Sequence, residues 1–354
     1  LDVKHDAALW WAGGLERPLV QMRLWGAYPG RPEAKLKRIT FQTPYDMSVL
    51  AADIVDRWDF ELASQAYLGD SFPQVWPDFG PGVVATALGA EAVAHENTTW
   101  FHPSGDMEIG KLHFRYDPDG RWMKRIKEIA RIAVERWQGT VQIGMTDLGG
   151  NLDVLSTFRP GERLLFDLYD NPEEVKRLTW EAHETWWAAF HDLYAVLRGA
   201  NPGYTAWCPI FSETPYYILQ CDFCYMIGPD MFDEFVKPEL AVTCRKLING
   251  FYHLDGPGQL PHLDSLLSIP QLKGVQWVPG SGQKAQSEWP EVYRKIRAAG
   301  KLIQIYDDVD LTQLTRIAEQ LGDARGIVAI GGGKVDDRAR AEAALARFGV
   351  PVRG

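Results

Sequence analysis

The sequence predicts an α/β protein folded as a single (β/α)8 TIM barrel over residues 1–354. Three observations predict it. From residue 140 onward, short apolar, β-branched runs alternate with longer amphipathic stretches in the order strand, helix, strand, helix. That order implies a parallel sheet with right-handed crossovers. The last runs are short and apolar throughout, as strands covered on both faces must be. Finally, 354 residues suit a barrel with insertions, and no Gly-x-Gly-x-x-Gly turn follows a strand, which disfavours a doubly wound nucleotide fold.

The elements follow in order. A first strand is expected at Pro18–Arg23 and a second near Val49–Ala63. Residues 64–122 are rich in Pro and Gly turns, among them Phe72-Pro73, Trp76-Pro77 and Phe79-Gly80-Pro81. They read as an insertion over the barrel mouth. Further strands are expected at Val141–Met145, Tyr204–Ile210, Gly250–Leu254, Val275–Val278, Leu302–Tyr306 and Ile327–Ile330. The longest helix is expected at Glu173–Leu197, with Asn171 as cap and Pro172 at its first position. Pro229–Ile248, Trp289–Ala299, Leu311–Leu321 and Asp336–Phe348 repeat the 3.6-residue period.

Composition narrows the function. Lys plus Arg number 37 and Asp plus Glu 47, a net charge of −10, which is the wrong sign for a nucleic-acid binder. No run of 18 apolar residues is present to cross a membrane, and no signal-like segment opens the chain. The cysteines, Cys208, Cys221, Cys224 and Cys244, fit free thiols in a reducing cytoplasm better than a disulfide framework. Fourteen Trp are many; most are expected in the core, and the rest could wall a pocket.

In a barrel, chemistry sits at the C-terminal strand ends and the loops after them. After Val141–Met145 stand Asp147, Asn151 and Asp153; after Tyr204–Ile210, Glu213, Asp222 and Tyr225. Cys221 and Cys224 form a C-x-x-C without a second pair, so small buried thiols are the better reading. His253 and Asp255 are two apart on a strand and therefore face one side, where they could hold a metal or move a proton. Gln276 and Trp277 tip the next strand, and Asp307 ends the one after; Arg23 and Trp25 end the first. Asp147, Asp153, Asp222 and Asp307 are the candidate acids and bases. Arg23, Trp25, Asn151, Tyr225, Gln276 and Trp277 are the candidate substrate contacts.

Three segments carry a resemblance. Asp222-Phe223-Cys224-Tyr225-Met226-Ile227-Gly228-Pro229 leads into Met231-Phe232-Asp233-Glu234-Phe235-Val236-Lys237-Pro238; Tyr252-His253-Leu254-Asp255-Gly256 follows; Arg17-Pro18-Leu19-Val20-Gln21-Met22-Arg23 lies near the start. Together they resemble the uroporphyrinogen decarboxylase superfamily, which includes cobalamin-dependent methyltransferases, and within it a divergent trimethylamine-corrinoid-like branch. The resemblance implies a uroporphyrinogen-decarboxylase-like barrel. It also implies a zinc site where methyltransferase members carry His-x-Cys; here Asp255 replaces the Cys and the last strand ends in Gly331-Gly332-Gly333. A His/Asp set suits an oxygen substrate better than a thiol.

The expected function is therefore metal-assisted methyl transfer from a small methylated substrate to a corrinoid on a partner protein. The divalent metal, zinc by the resemblance, would take His253, Asp255 and a third ligand from Cys208, Glu213, Asp222 or Asp307, with Glu213 first. A homodimer is an allowed assembly. The alternatives are a glycoside hydrolase with paired carboxylates in a Trp-lined cleft, and a metal-free decarboxylase using Asp and Tyr near Arg23.

Overall fold

The computed structural model describes residues 3–45, 47–95 and 98–353. Eleven strands are present among them: β1 (Leu19–Trp25), β2 (Gln65–Gly69), β3 (Gln74–Val75), β4 (Ala90–Ala94), β5 (Thr99–Pro103), β6 (Gln142–Ile143), β7 (Tyr216–Leu219), β8 (Asn249–Asp255), β9 (Leu272–Val278), β10 (Leu302–Asp308) and β11 (Ile327–Lys334). The helices are α1 (Lys4–Trp11), α2 (Ala51–Ala63), α3 (Val83–Thr86), α4 (Arg121–Trp137), α5 (Asn151–Phe158), α6 (Arg163–Asp170), α7 (Pro172–Leu197), α8 (Pro229–Phe235), α9 (Lys237–Leu247), α10 (Leu263–Leu267), α11 (Pro290–Ala298), α12 (Thr312–Leu321) and α13 (Arg338–Arg347).

A seven-stranded sheet runs in the order β2-β1-β11-β10-β9-β8-β7, parallel apart from β2, which lies antiparallel to β1. β3 and β6 form a separate parallel pair, and β4 and β5 a hairpin. The parallel strands are nearly all buried, as their apolar sequences require. The chain is thus a mixed α/β fold with a parallel sheet.

Three expected elements differ. Val49–Ala63 is not a strand: Ile54, Val55 and Trp58 recur at helical spacing and are the buried face of α2. The loop-rich segment 64–122 also supplies strands to the sheets, Gln65–Gly69 as β2 and Gln74–Val75 as β3. Tyr204–Ile210 enters no ladder and makes one isolated bridge, Tyr204 with Ser212; the strand comes later, as β7. Glutamine side chains replace the ladder. Gln142 donates to Gly203 O at 3.0 Å, Gln74 to Ala206 O at 2.8 Å and Gln21 to Pro209 O at 2.5 Å. Buried carbonyls need donors, and here side chains reaching inward supply several of them, beside backbone donors such as Met145 N–H to Thr205 O.

Half of the tryptophans are core: Trp10, Trp11, Trp58, Trp137, Trp186, Trp187 and Trp277 are buried. No helix among the described residues is long and apolar enough to cross a membrane. All four cysteines are free and buried.

Gly274 in β9 is tightly packed. A Cβ there would stand 2.1 Å from the Phe251 ring and 2.7 Å from Leu302 O. Phe251 is itself fully buried. Gly274→Ala should therefore destabilise the fold by about 2–3 kcal/mol through overpacking; urea unfolding with an unchanged m-value checks it.

Candidate active site

The C-terminal parts of β1, β10 and β11 converge on a cavity of about 770 Å³. Arg23, Gln74, Trp76, Asp78, Trp207 and Tyr306 are among its walls. A comparable cleft of about 830 Å³ lies outside, between residues 106–110 and α6. Its arginines are already engaged, Arg159 by Asp167 and Arg163 by Asp106, and it contains none of the strand-end residues.

Alternation along β1 points Gln21 and Arg23 inward while Val20, Met22 and Leu24 are fully buried in the core. Among the described residues, no carboxylate is an electrostatic neighbour of Arg23. Its Nε and Nη2 are buried without a hydrogen-bond partner. Burial lowers its pKa, and the neighbours that oppose this are Tyr67, Cys208 and Tyr306. The first two are neutral: burial pushes the Tyr67 hydroxyl and the Cys208 thiol each up to about 12.

Four acidic side chains with raised pKa values stand in and beside the mouth. Burial raises Asp78 to about 7, against a Gly80 N–H that favours the carboxylate, and the charge of Asp147 adds to the rise. Burial likewise raises Asp147 to about 7, with Asp222 adding; the Gly149 N–H at 2.9 Å and the Tyr217 hydroxyl at 3.3 Å, both donating to Oδ1, pull the other way. Asp153 reaches about 7 through burial and the charge of Asp222. Asp222 is raised by burial and by Asp255, and His253 opposes this. Its carboxylate receives no hydrogen bond among the described residues. Asp78, Asp147 and Asp153 can hold protons near neutral pH and deliver them.

His253 points inward with Asp255, its Nε2 lying 4.0 Å from Asp255 Oδ2. Its Nδ1 meets the Oε1 of Gln276, the residue paired with it in register on β9. The edge of Trp207 packs against the imidazole, ring centroids 5.2 Å apart. Since an amide oxygen only accepts, Nδ1 is the donor in this contact, which leaves Nε2 facing Asp255.

The other candidate residues separate. Asp153 accepts from Asp222 N at 3.0 Å and Phe223 N at 2.8 Å, so it caps the 3-10 turn that presents Asp222 and Tyr225. Asp307 accepts from Asp308 N, Gln313 N and Leu314 N and thereby starts α12. Tyr225 is exposed and lies over Gly256 and Gly258, where a Cβ on Gly258 would come within 2.6 Å of the ring. Trp25 is half-exposed and covers Gly332 in the same way. Asn151 is buried behind the mouth, next to Glu239.

Two expectations are corrected by geometry. Trp277 is fully buried and packs on Trp289, outside the sheet. With Gln276 facing inward, the two-residue period sends its neighbour outward. Glu213 is exposed at the opposite end of the sheet: Ser212 and Thr214 flank it and accept from Asn249, the first residue of β8. His253 and Asp255 are near the other end of that strand, and a seven-residue strand is roughly 20 Å long. Glu213 therefore cannot join them. No group of three His, Cys, Asp or Glu able to hold a metal exists among the described residues. His253 and Asp255 are one ligand short of the zinc set that the resemblance implied.

Asp78 was not singled out from sequence. It follows a two-residue strand inside a turn-rich stretch, and only the structure shows that β3 pairs with β6 and aims the chain into the cavity.

These features define a mixed α/β protein with a parallel sheet, a recessed arginine and a group of buried carboxyls with raised pKa values around its strand ends. No family model and no curated protein matches the chain. Among solved structures, a methyltransferase from Methanosarcina mazei is similar, with a TM-score of 0.56 over 78% of this chain and 81% of that chain, at 14% identity. At that identity the likeness is one of fold.

Proposed function

We propose that the chain is an enzyme of the methyltransferase type that demethylates a small anionic substrate. In this reading the fold closes as an eight-stranded barrel of the uroporphyrinogen decarboxylase superfamily. The observation that carries the proposal is Arg23, whose buried Nε and Nη2 have no hydrogen-bond partner among the described residues, inside a cavity of substrate size. A buried cation is costly unless paired, so its partner is a carboxylate or similar anion brought by the substrate. Trp76 and Trp207 wall the space around that anion.

The carboxyls then have a task. When a methyl group leaves a heteroatom for a nucleophile, the bond from carbon to heteroatom breaks and its electron pair stays on the heteroatom. A proton must arrive there. Asp78 or Asp147, each protonated up to about pH 7, can donate it, and His253 Nε2 can return it. A corrinoid carried by a partner protein is the methyl acceptor in this reading and would supply the nucleophile. Trp25, Tyr28 and Tyr225, exposed on loops and strand ends around the mouth, suit the approach of a flat macrocycle. No step is assigned to a metal, because the donors present do not complete its ligand set.

One observation favours a second reading, decarboxylation: Asp78 holds a proton in the same cavity as Arg23, where a carbanion left by CO2 would need one. One experiment separates the two. The chain is incubated with methyl-13C-labelled small acids and free cob(I)alamin. Formation of 13C-methylcobalamin supports methyl transfer; release of CO2 without methyl transfer overturns it in favour of decarboxylation.

A further inference from the structure

We propose that the substrate of this cavity is a zwitterion, an N-methylated amino acid whose carboxylate meets Arg23 and whose ammonium meets Asp78. The inference rests on the reading of Arg23 as the anion-binding residue and deepens it by naming the second group that the ligand carries.

The charges on the cavity wall carry the argument. Arg23, Arg38, Arg57, Glu61 and Asp78 line it. Three of the five serve one another: Glu61 accepts from Arg57 Nε at 2.7 Å and lies 3.9 Å from Arg38. Arg57 also reaches Glu33 at 2.9 Å. One cation and one carboxyl are left over. Arg23 keeps its buried Nε and Nη2 without a hydrogen-bond partner. Asp78 accepts from Gly80 N–H at 3.1 Å through Oδ1, and its Oδ2 has no partner among the described residues. The two do not serve each other. Asp78 is not among the groups whose charge acts on Arg23, and the charge that acts on Asp78 is that of Asp147. Nor is Asp78 loosely placed. Its N–H donates to the Gln42 side chain, and its carbonyl accepts from Gln42 N–H at 2.6 Å. Two unpaired groups of opposite sign thus stand apart on one wall.

A plain acid satisfies half of this arrangement. It takes Arg23 and leaves Asp78 to keep a proton or stand as an uncompensated charge. An ammonium favours the ionised carboxylate and gives it a charge-assisted hydrogen bond. The aromatic wall favours the same ligand. Trp76, two residues before Asp78, lines the cavity with Trp207 and Tyr306. The faces of such rings attract a cation. A second carboxylate or a phosphate at this end would instead meet like charge. The nitrogen then arrives protonated. As the nucleophile's electron pair forms the new bond to the methyl carbon, the C–N bond breaks and its pair stays on nitrogen. The product is a neutral amine that keeps its N–H, and Asp78 delivers the proton by holding it there.

Calorimetric titration of the whole chain tests this with N,N-dimethylated amino acids that carry one to three methylenes between nitrogen and carboxylate. Each is compared with the acid in which carbon replaces nitrogen; for dimethylglycine that acid is 3-methylbutanoate. The members of a pair share shape and carboxylate and differ in the positive charge. The best zwitterion is expected to bind about 10- to 100-fold more tightly than its carbon partner. This comparison needs no variant. In Asp78→Asn, whose amide oxygen can still accept from Gly80 N–H, the preference should fall to about threefold or less. Arg23→Met should weaken both members of a pair alike. Equal affinity within every pair, or a preference that Asp78→Asn leaves intact, overturns the proposal; if Arg23→Met still weakens both ligands, the anion site stands without it. No binding of either ligand to the parent, or affinities indifferent to Arg23→Met, overturns both.

Discussion

Arg23→Met should weaken binding of the anionic substrate by about 10²- to 10³-fold while leaving Tm unchanged or higher. The two halves of this expectation come from one fact. In the free protein the Arg23 guanidinium has buried N–H groups with no acceptor, beside a Tyr67 hydroxyl and a Cys208 thiol that burial keeps neutral. Such a charge costs folding energy, and an unbranched apolar side chain of similar length removes that cost. With substrate bound, the same N–H groups become charge-assisted hydrogen bonds to an anion, and their loss is felt in full. Arg23→Lys should fall between the two, since it keeps the charge but loses the planar fork. Titration of small acids against both variants, alongside Tm, checks it. If Arg23 only braced the fold, Arg23→Met would lower Tm and leave affinity alone, and that outcome would overturn the assignment.

The sequence made the parallel sheet and the shared face of His253 and Asp255 legible because both rest on local periods. Apolar runs name buried strands, and a spacing of two puts side chains on one side, as the 4.0 Å approach of those residues shows. The same rule, carried one residue further, would have sent Trp277 outward; it was set beside Gln276 for its position at the strand tip. What failed was non-local. Nothing near Tyr204–Ile210 says that Gln21 and Gln74 will reach across to hold its carbonyls, or that Gln142 will hold that of Gly203 just before it. Nothing near Glu213 says which end of the sheet it occupies, because the expected strand before it proved to be a loop and the real one, β7, came after. Arg23 and Asp78 lie 55 positions apart and share a cavity only through the folding of β1 and β3. A residue's place on a strand can be read from its neighbours, whereas its partner across the cavity cannot.

Stability should fall as pH rises from about 4 to about 7, with Tm several degrees higher at pH 5 than at pH 8. Asp147 illustrates the direction. Its carboxyl ordinarily titrates at 3.8 and is raised by burial to about 7 in the folded chain. Between those values the folded state binds a proton that the unfolded state has released, so raising the pH favours unfolding. The stabilisation is complete below the unfolded value and lost as pH passes through the folded one. For this one group the difference is about 4 kcal/mol. Asp78 and Asp153 move the same way. Asp308, held down by the Thr312 hydroxyl and N–H, and Asp337, held down by the Lys334 N–H, act oppositely, but only below the ordinary carboxyl range. They do not compete in this window. Asp147→Asn isolates the effect, because its amide oxygen can still accept from Gly149 N–H and the Tyr217 hydroxyl while the other position stays neutral at every pH. The variant should match the parent at pH 5, exceed it at pH 8 and show a shallower slope between. If Asp147 is also the proton donor, the variant that gains stability at pH 8 loses turnover at pH 6, because the proton that kept the carboxyl buried was the one the reaction consumed. Equal pH slopes in parent and variant would show that Asp147 is ionised throughout.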